Sequence, residues 1–255
     1  MLKLMSDMAR FSPLRFRVFD ACRLRYRYQY VDRISARLRP QDTAGSLVHR
    51  VLCDFFWKVP QEERTGERLV RIFEAGWEGL SPRYRRMQGV DKLRAASMEQ
   101  LRSFARQHDL AASPLMVEPY FQVEVAPGVT LFGRVDRIDE EPGGSLHVID
   151  YKTGSEADEV DAGQLRLYAI MAEESLHRPV SRISFWYLDD GRTWTTELSD
   201  EDKGCTRSGL LAAVDRMNTV GEFPANVGPH CSHCPYLYAC AERDEIQRRR
   251  EAEGW

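Results

Sequence analysis

The sequence predicts an α/β fold in which a central mixed sheet is flanked by helices, with a helical N-terminal region before it and a cysteine-rich segment after it. Three observations predict this. The first 110 residues carry helix caps and breakers at helix-length spacing. Residues 114 to 152 read as short strands separated by Pro-Gly and Gly-Gly turns. Beyond residue 160, helical and strand patterns alternate. With 255 residues and 43% hydrophobic composition, the chain can bury a sizeable core.

Ser12-Pro13 is a good N-cap and N1 pair, and "SPLRFRVFDACRLRYRYQYV" follows without an internal breaker, so one continuous helix is expected there. A second helix should open near Asp42 or Thr43 and carry "AGSLVHRVLCDFFWKV". Two more fit 63–79 and 91–109, between the turn signals Pro60, Gly79 and Ser81-Pro82. These early helices are expected to cap the sheet. After Ser113-Pro114, "MVEPYFQVEV", "VTLFGRVDRID" and "SLHVIDYK" read as a meander of strands. A helix at about 160–175, strands at 181–188 and 193–198, a helix at 199–218 and a charged, solvated C-terminal helix complete the chain. No repeat or low-complexity linker interrupts it. Residues 1–255 are therefore expected to form one domain, with a mainly helical part at 12–110, a core at 114–220 and a cysteine-rich segment at 221–240.

The formal net charge of −3 predicts no general attraction to a polyanion, but residues 10–39 hold nine arginines against two aspartates, a local charge of +7. Phe16, Phe19, Tyr26, Tyr28 and Tyr30 interleave with these arginines, a composition suited to phosphate contact and base stacking. It suits equally well an amphipathic helix whose arginine stems cover apolar surface. The first ten residues lead into no apolar run, and nothing approaches the roughly 20 apolar residues of a membrane span. A cytoplasmic protein with no membrane partner is expected.

The chemistry concentrates at the ends of two strands. Alternation along "LFGRVDRID" places Phe132, Arg134, Asp136 and Ile138 on one face, so Asp136 lies among apolar and long side chains. The plainest reading of such an acid is an ion pair with Arg134 or Arg137. On the next strand, Asp150 and Lys152 share a face and Tyr151 points the other way. If the two strands pair as a hairpin, Asp136 and Asp150 converge, and two carboxylates without a cation would repel. A divalent metal resolves this, and oxygen ligands suit Mg²⁺ or Mn²⁺. Lys152 can then position the attacking water and stabilise charge developing on a phosphate.

These residues, with their neighbours, carry a family resemblance. "GRVDRID", "HVIDYKTG" and "QLRLY" resemble the motifs of the PD-(D/E)XK nucleases, and more closely their RecB-like branch, whose Gln-x3-Tyr motif matches Gln164 and Tyr168. Upstream, "AGSLVHRVL" resembles that branch's Gly-x3-His helix and makes His49 a candidate extra metal ligand. Glu118 matches an acidic position of the family, although Glu124 lies on the same strand pattern. The resemblance implies a restriction-endonuclease-like core and a nuclease site with Asp136, Asp150, Lys152, Gln164 and Tyr168. Its metal ligands would be Asp136, Asp150, the Tyr151 carbonyl and His49 or Glu118. It also implies that the Gln-Tyr pair orients the site and contacts nucleic acid. Taken alone, His49 reads as a satisfied core histidine, and Gln164 with Tyr168 as a hydrogen-bonded pair on one helix face.

"HCSHCPYLYAC" places Cys231, Cys234 and Cys240 within ten residues, a metal-site spacing in a reducing compartment. A fourth ligand must come from Cys22, Cys53, Cys205, His230 or His233. The spacing leaves zinc and an iron-sulfur cluster open. A subgroup of RecB-like nucleases, including the AddB nuclease domain and the nucleases of CRISPR adaptation, has one early cysteine and three late ones on a 4Fe-4S cluster. That resemblance implies Cys22, Cys231, Cys234 and Cys240 as cluster ligands here, although Arg23 stands where the family often has proline. Cys53 and Cys205 are then expected to be ordinary packed thiols.

The reading that results is a metal-dependent DNA nuclease, an exonuclease acting on single-stranded ends. No Gly-x4-Gly-Lys-Ser/Thr loop is present, so the chain is expected to work alone, like CRISPR adaptation nucleases, or with a separate helicase. Two other classes fit parts of the sequence: a non-catalytic nucleic-acid-binding module, and a zinc-stabilised partner-binding domain.

Overall fold

The computed structural model describes residues 10–37, 39–154 and 162–255. Most of the N-terminal stretch searched for a leader, and positions 160 and 161 at the expected start of a helix, lie outside the described residues. The helices are α1 (Pro13–Ala21), α2 (Arg23–Tyr26), α3 (Pro40–Lys58), α4 (Gly66–Glu78), α5 (Pro82–Arg85), α6 (Val90–Gln107), α7 (Gly163–Leu176), α8 (Asp200–Thr219) and α9 (Arg243–Glu253). The strands are β1 (Arg10–Phe11), β2 (Met116–Val117), β3 (Tyr120–Ala126), β4 (Val129–Arg134), β5 (Arg137–Glu140), β6 (Leu146–Lys152), β7 (Val180–Tyr187) and β8 (Thr193–Glu197).

They form two sheets, one of three strands in the order β1-β4-β3 and one of five in the order β2-β5-β6-β7-β8. In the larger sheet β6 and β7 are parallel and the other neighbours antiparallel. The β6-α7-β7 unit is a crossover connection, because parallel neighbours cannot be joined by a tight hairpin. Alternation along β6 serves both faces of the sheet. Leu146 and Val148 join the core under α7, with Leu165, Ala169, Ile183 and Phe185. Ile149 and Tyr151 join a second core made by the cap helices, with Val48, Phe55, Leu69, Phe73 and Phe104. Full burial of each such aliphatic or aromatic side chain contributes about 1.5–3 kcal/mol relative to exposure.

Two expectations are corrected. The first helix is not continuous. Ser12 caps α1, accepting from the Arg15 N–H, and Pro13 occupies its first turn as expected, but the helix ends at Cys22, which has extended backbone (φ −162°, ψ 113°). The same residue caps α2, its sulfur accepting the Arg25 N–H at 3.5 Å. A π-helical turn, Arg27–Val31, follows. Nothing in the Pro and Gly pattern marks this break, because a cysteine makes it.

The strand 129–139 is not continuous either. Glu118 and Asp136 both fall at kinks where paired strands leave one sheet for the other. The kinks are held together by the Glu118 N–H on the Asp136 carbonyl (2.9 Å) and the Val135 N–H on the Pro119 carbonyl (3.1 Å). The alternation read through Arg134, Asp136 and Ile138 is therefore interrupted at Asp136.

Candidate active site

The bent hairpin brings its two acids to the carboxyl end of β6. Asp136 Oδ2 accepts the Tyr151 main-chain N–H at 2.7 Å, and Oδ1 lies 3.1 Å from His49 Nδ1 on α3. This replaces the expected pairing with arginine. Arg134 instead approaches Glu118, 3.6 Å from its carboxylate, and donates to its carbonyl at 3.1 Å. Arg137 makes a two-point contact with Asp139 (2.7 and 2.8 Å) beneath Phe56 and Trp186.

Glu118 has left-handed backbone (φ 50°), unusual for a residue with a side chain, and such a conformation costs on the order of 1–3 kcal/mol. Its ligand atom, with those of His49 and Asp136, falls within 4.8 Å of the others, the one such His/Cys/Asp/Glu group among the described residues. Glu124, the competing acid, turns away and accepts the Gly128 N–H.

Asp150 and Lys152 share a face of β6, as period-2 alternation requires, and their charged atoms are 2.9 Å apart. The Lys152 ammonium also donates to Gln164 Oε1 at 3.4 Å, and Gln164 Nε2 donates to the Tyr168 hydroxyl at 3.0 Å. Gln164 and Tyr168 lie one turn apart on α7, so this chain runs from the sheet to the helix. Asp150, Lys152, Gln164 and Tyr168 are thus joined in one hydrogen-bonded chain, and Asp136 lies close enough for its charge to act on Asp150. The Tyr151 peptide lies at the site through its N–H, while its ring packs on the opposite face against Phe104 and Trp186.

The electrostatics of the group favour positive charge. Burial and the Asp136 charge push Asp150 up to about 6, against the opposing pull of Lys152 and His49. Burial and Asp136 also raise Glu118. Burial disfavours the His49 cation, but Asp136, Asp150 and Glu118 outweigh it and lift His49 to about 9. Burial holds the Tyr168 phenol well above its ordinary range, so it is a neutral hydrogen-bonding group. A cluster of acids that draws protons onto its members also favours a cation, and a His-plus-carboxylate donor set suits a divalent metal.

This group opens onto a cleft of about 690 Å³, also lined by Arg39, Arg50, Arg134, Gly45 and Thr153. Gly45 is where α3 meets the end of β6: a Cβ there would lie 2.7 Å from Thr153 Oγ1. Cys53, expected to be an ordinary packed thiol, lines the cleft one turn beyond His49. The i, i+4 spacing was the available signal for it. Cys205 is exposed rather than packed. Of the cleft arginines, Arg134 was visible only as a possible partner of Asp136 and Arg39 only within the charge excess at 10–39, and Arg50 carries no motif.

The other cysteines gather. Cys22, Cys231, Cys234 and Cys240 line one small cavity with apolar neighbours that include Leu24, Val227, Leu237 and Ile246. The two ends of the chain are tied around it by the Leu24 N–H on the Pro224 carbonyl, Asn226 on the Ala21 carbonyl and the Tyr28 hydroxyl on the Ala239 carbonyl. No three of these thiols lie within 4.8 Å of one another.

A mixed sheet presenting carboxylates, a lysine and a histidine at one strand end offers the donor set of a candidate divalent-metal site. Residues 10–241 match the PD-(D/E)XK nuclease superfamily, and the chain belongs to that family. Among solved structures, it is similar to a candidate exonuclease from Eubacterium rectale, with TM-score 0.55 and 11% identity over 89% of this chain and 88% of the other. It also aligns with the protein SSO0001 at TM-score 0.40 and 16% identity, over 78% and 96% of the two chains. No curated protein matches the sequence. No described helix is long and apolar enough to cross a membrane.

Proposed function

We propose that this protein is a Mg²⁺- or Mn²⁺-dependent deoxyribonuclease that hydrolyses phosphodiester bonds at single-stranded DNA ends and is braced by a structural 4Fe-4S cluster, the whole chain acting as one domain. The observation that carries the reading is the Lys152 ammonium, held by Asp150 and Gln164 beside the His49, Glu118 and Asp136 group. His49, Glu118, Asp136, Asp150 and the Tyr151 carbonyl are the residues that would hold the cation. A divalent cation there supplies charge stabilisation to the phosphate as the displacement proceeds. Lys152 hydrogen-bonds the attacking water and opposes charge growing on the non-bridging oxygens. Gln164 fixes the lysine, and the neutral Tyr168 fixes the Gln164 amide in the orientation that accepts from it.

The cluster assignment to Cys22, Cys231, Cys234 and Cys240 is supported by the one small cavity that all four line. The cluster would clamp the arginine-rich α1-α2 segment against the C-terminal segment. A substrate that is already single-stranded, as in CRISPR adaptation, or one opened by a helicase partner, would suit this site.

The test uses full-length protein purified anaerobically and single-stranded DNA labelled separately at each end. Mn²⁺-dependent release from one end, abolished by EDTA, with about four irons per chain, is expected. Iron-replete protein that binds DNA tightly without cutting would instead be a binding module, and a colourless, zinc-loaded protein would overturn the cluster assignment.

A further inference from the structure

Gln164 borders a second concavity. A groove of about 240 Å³, lined in part by Gln164, runs between α1, α7 and α8. Two exposed arginines flank it, Arg17 from α1 and Arg216 from the last turn of α8. Neither forms an ion pair among the described residues, whereas Arg166 on α7 and Arg207 on α8 do. Among the described residues, Asp20 is the only acid lining the groove. Arg17 is close enough to act electrostatically on the Tyr168 phenol, so its charge reaches the catalytic network. Gly209 on α8 leaves the wall open, since a Cβ there would meet nothing within 4 Å.

Two cations without an ion pair among the described residues, on either side of a groove, attract an anion, and Gln164 belongs both to the groove lining and to the hydrogen-bonded chain from Lys152. It is too small for a duplex. We propose that this groove is a second nucleic-acid subsite, which holds the single strand on the side of the scissile phosphate opposite the main cleft, with Arg17 and Arg216 on two of its phosphates. The inference rests on the nuclease reading above. It adds a direction to it: the strand passes from the cleft at Arg39, Arg50 and Arg134, over Lys152 and Gln164, and into the space between α1 and α8.

The substitution of choice is the double variant Arg17→Ser/Arg216→Ser in the full-length protein. Anisotropy of a labelled 20-nucleotide single strand is measured in Ca²⁺, which replaces Mn²⁺ to suppress cutting, between 50 and 200 mM salt. Loss of two phosphate contacts should reduce the slope of log K against log salt by about 1.4 and weaken binding roughly 10- to 30-fold at 0.1 M salt. The Arg17→Lys/Arg216→Lys variant should recover the slope, and Arg71→Ser/Arg102→Ser, on the remote α4-α6 surface, should leave it unchanged. Retention of the wild-type melting temperature separates lost contacts from lost fold. A slope and affinity equal to wild type, or an equal loss in the remote control, overturns the subsite while leaving the nuclease reading intact. Failure of the wild-type protein itself to bind the strand overturns both.

Discussion

Asp150→Asn offers a direct reading of how strained the metal-free site is. Asp150 is 5% exposed, and burial with the neighbouring Asp136 charge pushes its carboxyl up to about 6. Its unfolded value is about 3.8, so over the interval between the two the folded protein binds the proton that the unfolded chain releases. The protonated acid therefore contributes stability that is fully present below about pH 3.8 and is lost as pH rises through about 6. A difference of about two pKa units corresponds to roughly 3 kcal/mol, at about 1.4 kcal/mol per unit. For a chain of this length that is about 6–12 °C in Tm. Asparagine has no proton to lose and keeps an oxygen for Lys152. In EDTA, wild type should therefore lose about 6–12 °C relative to Asp150→Asn between pH 4 and pH 7, measured by thermal unfolding in matched buffers. Mn²⁺ should close the gap, because a cation favours the ionised acid. A gap that stays constant across pH, or one that moves in favour of wild type, would refute the reasoning. It would mean that Lys152 alone neutralises Asp150 and the site does not need a cation.

The strained backbone at Glu118 predicts that Glu118→Gly is more stable than Glu118→Ala by about 1 kcal/mol, since only glycine adopts a φ of 50° without cost. Neither variant should show the full wild-type rise in Tm on adding Mn²⁺, a result checked by the same unfolding scans. On the proposed cluster, Cys234→Ser should bind no iron and, by releasing a closed loop of about 210 residues between Cys22 and the tail, lose on the order of 5 kcal/mol of stability. Iron content and urea unfolding together test this. Ser184 is fully buried and lies 2.7 Å from both His147 Nε2 and Thr195 Oγ1, so Ser184→Ala should cost about 1–3 kcal/mol at pH 7 by urea unfolding.

What was legible in the sequence was whatever depends on period and caps. Ser12-Pro13, the β6 alternation that puts Asp150 beside Lys152, and the four-residue step from Gln164 to Tyr168 all appear in the fold where local rules place them. What was not legible depends on long-range pairing. The break at Cys22 is stabilised by its own thiol and by contacts 200 residues away, so no Gly or Pro announces it. The kinks at Glu118 and Asp136 arise because one hairpin serves two sheets, and strand-period reasoning runs straight through them. Those kinks aim both acids at His49. The choice of Glu118 over Glu124, and of His49 rather than an arginine as the partner of Asp136, is therefore a property of the tertiary structure. Of the arginines of the cleft and groove, Arg17 and Arg39 were visible only within the charge excess at 10–39 and Arg50 and Arg216 by no signal, since which arginine faces which concavity is set by the packing of α1, α3 and α8.

The measurement that bears most directly on the central claim is single-turnover cleavage of single-stranded DNA in Mn²⁺ by wild type and Lys152→Ala, with DNA affinity and the Mn²⁺-induced rise in Tm recorded for both. The predicted result is a cleavage rate lower by about 10²–10⁴-fold in the variant, the usual worth of a positioned proton-transfer or charge-stabilising group, with binding and metal response retained. A variant that cleaves within a few-fold of wild type would contradict the assignment of Lys152 and, with it, the proposed site.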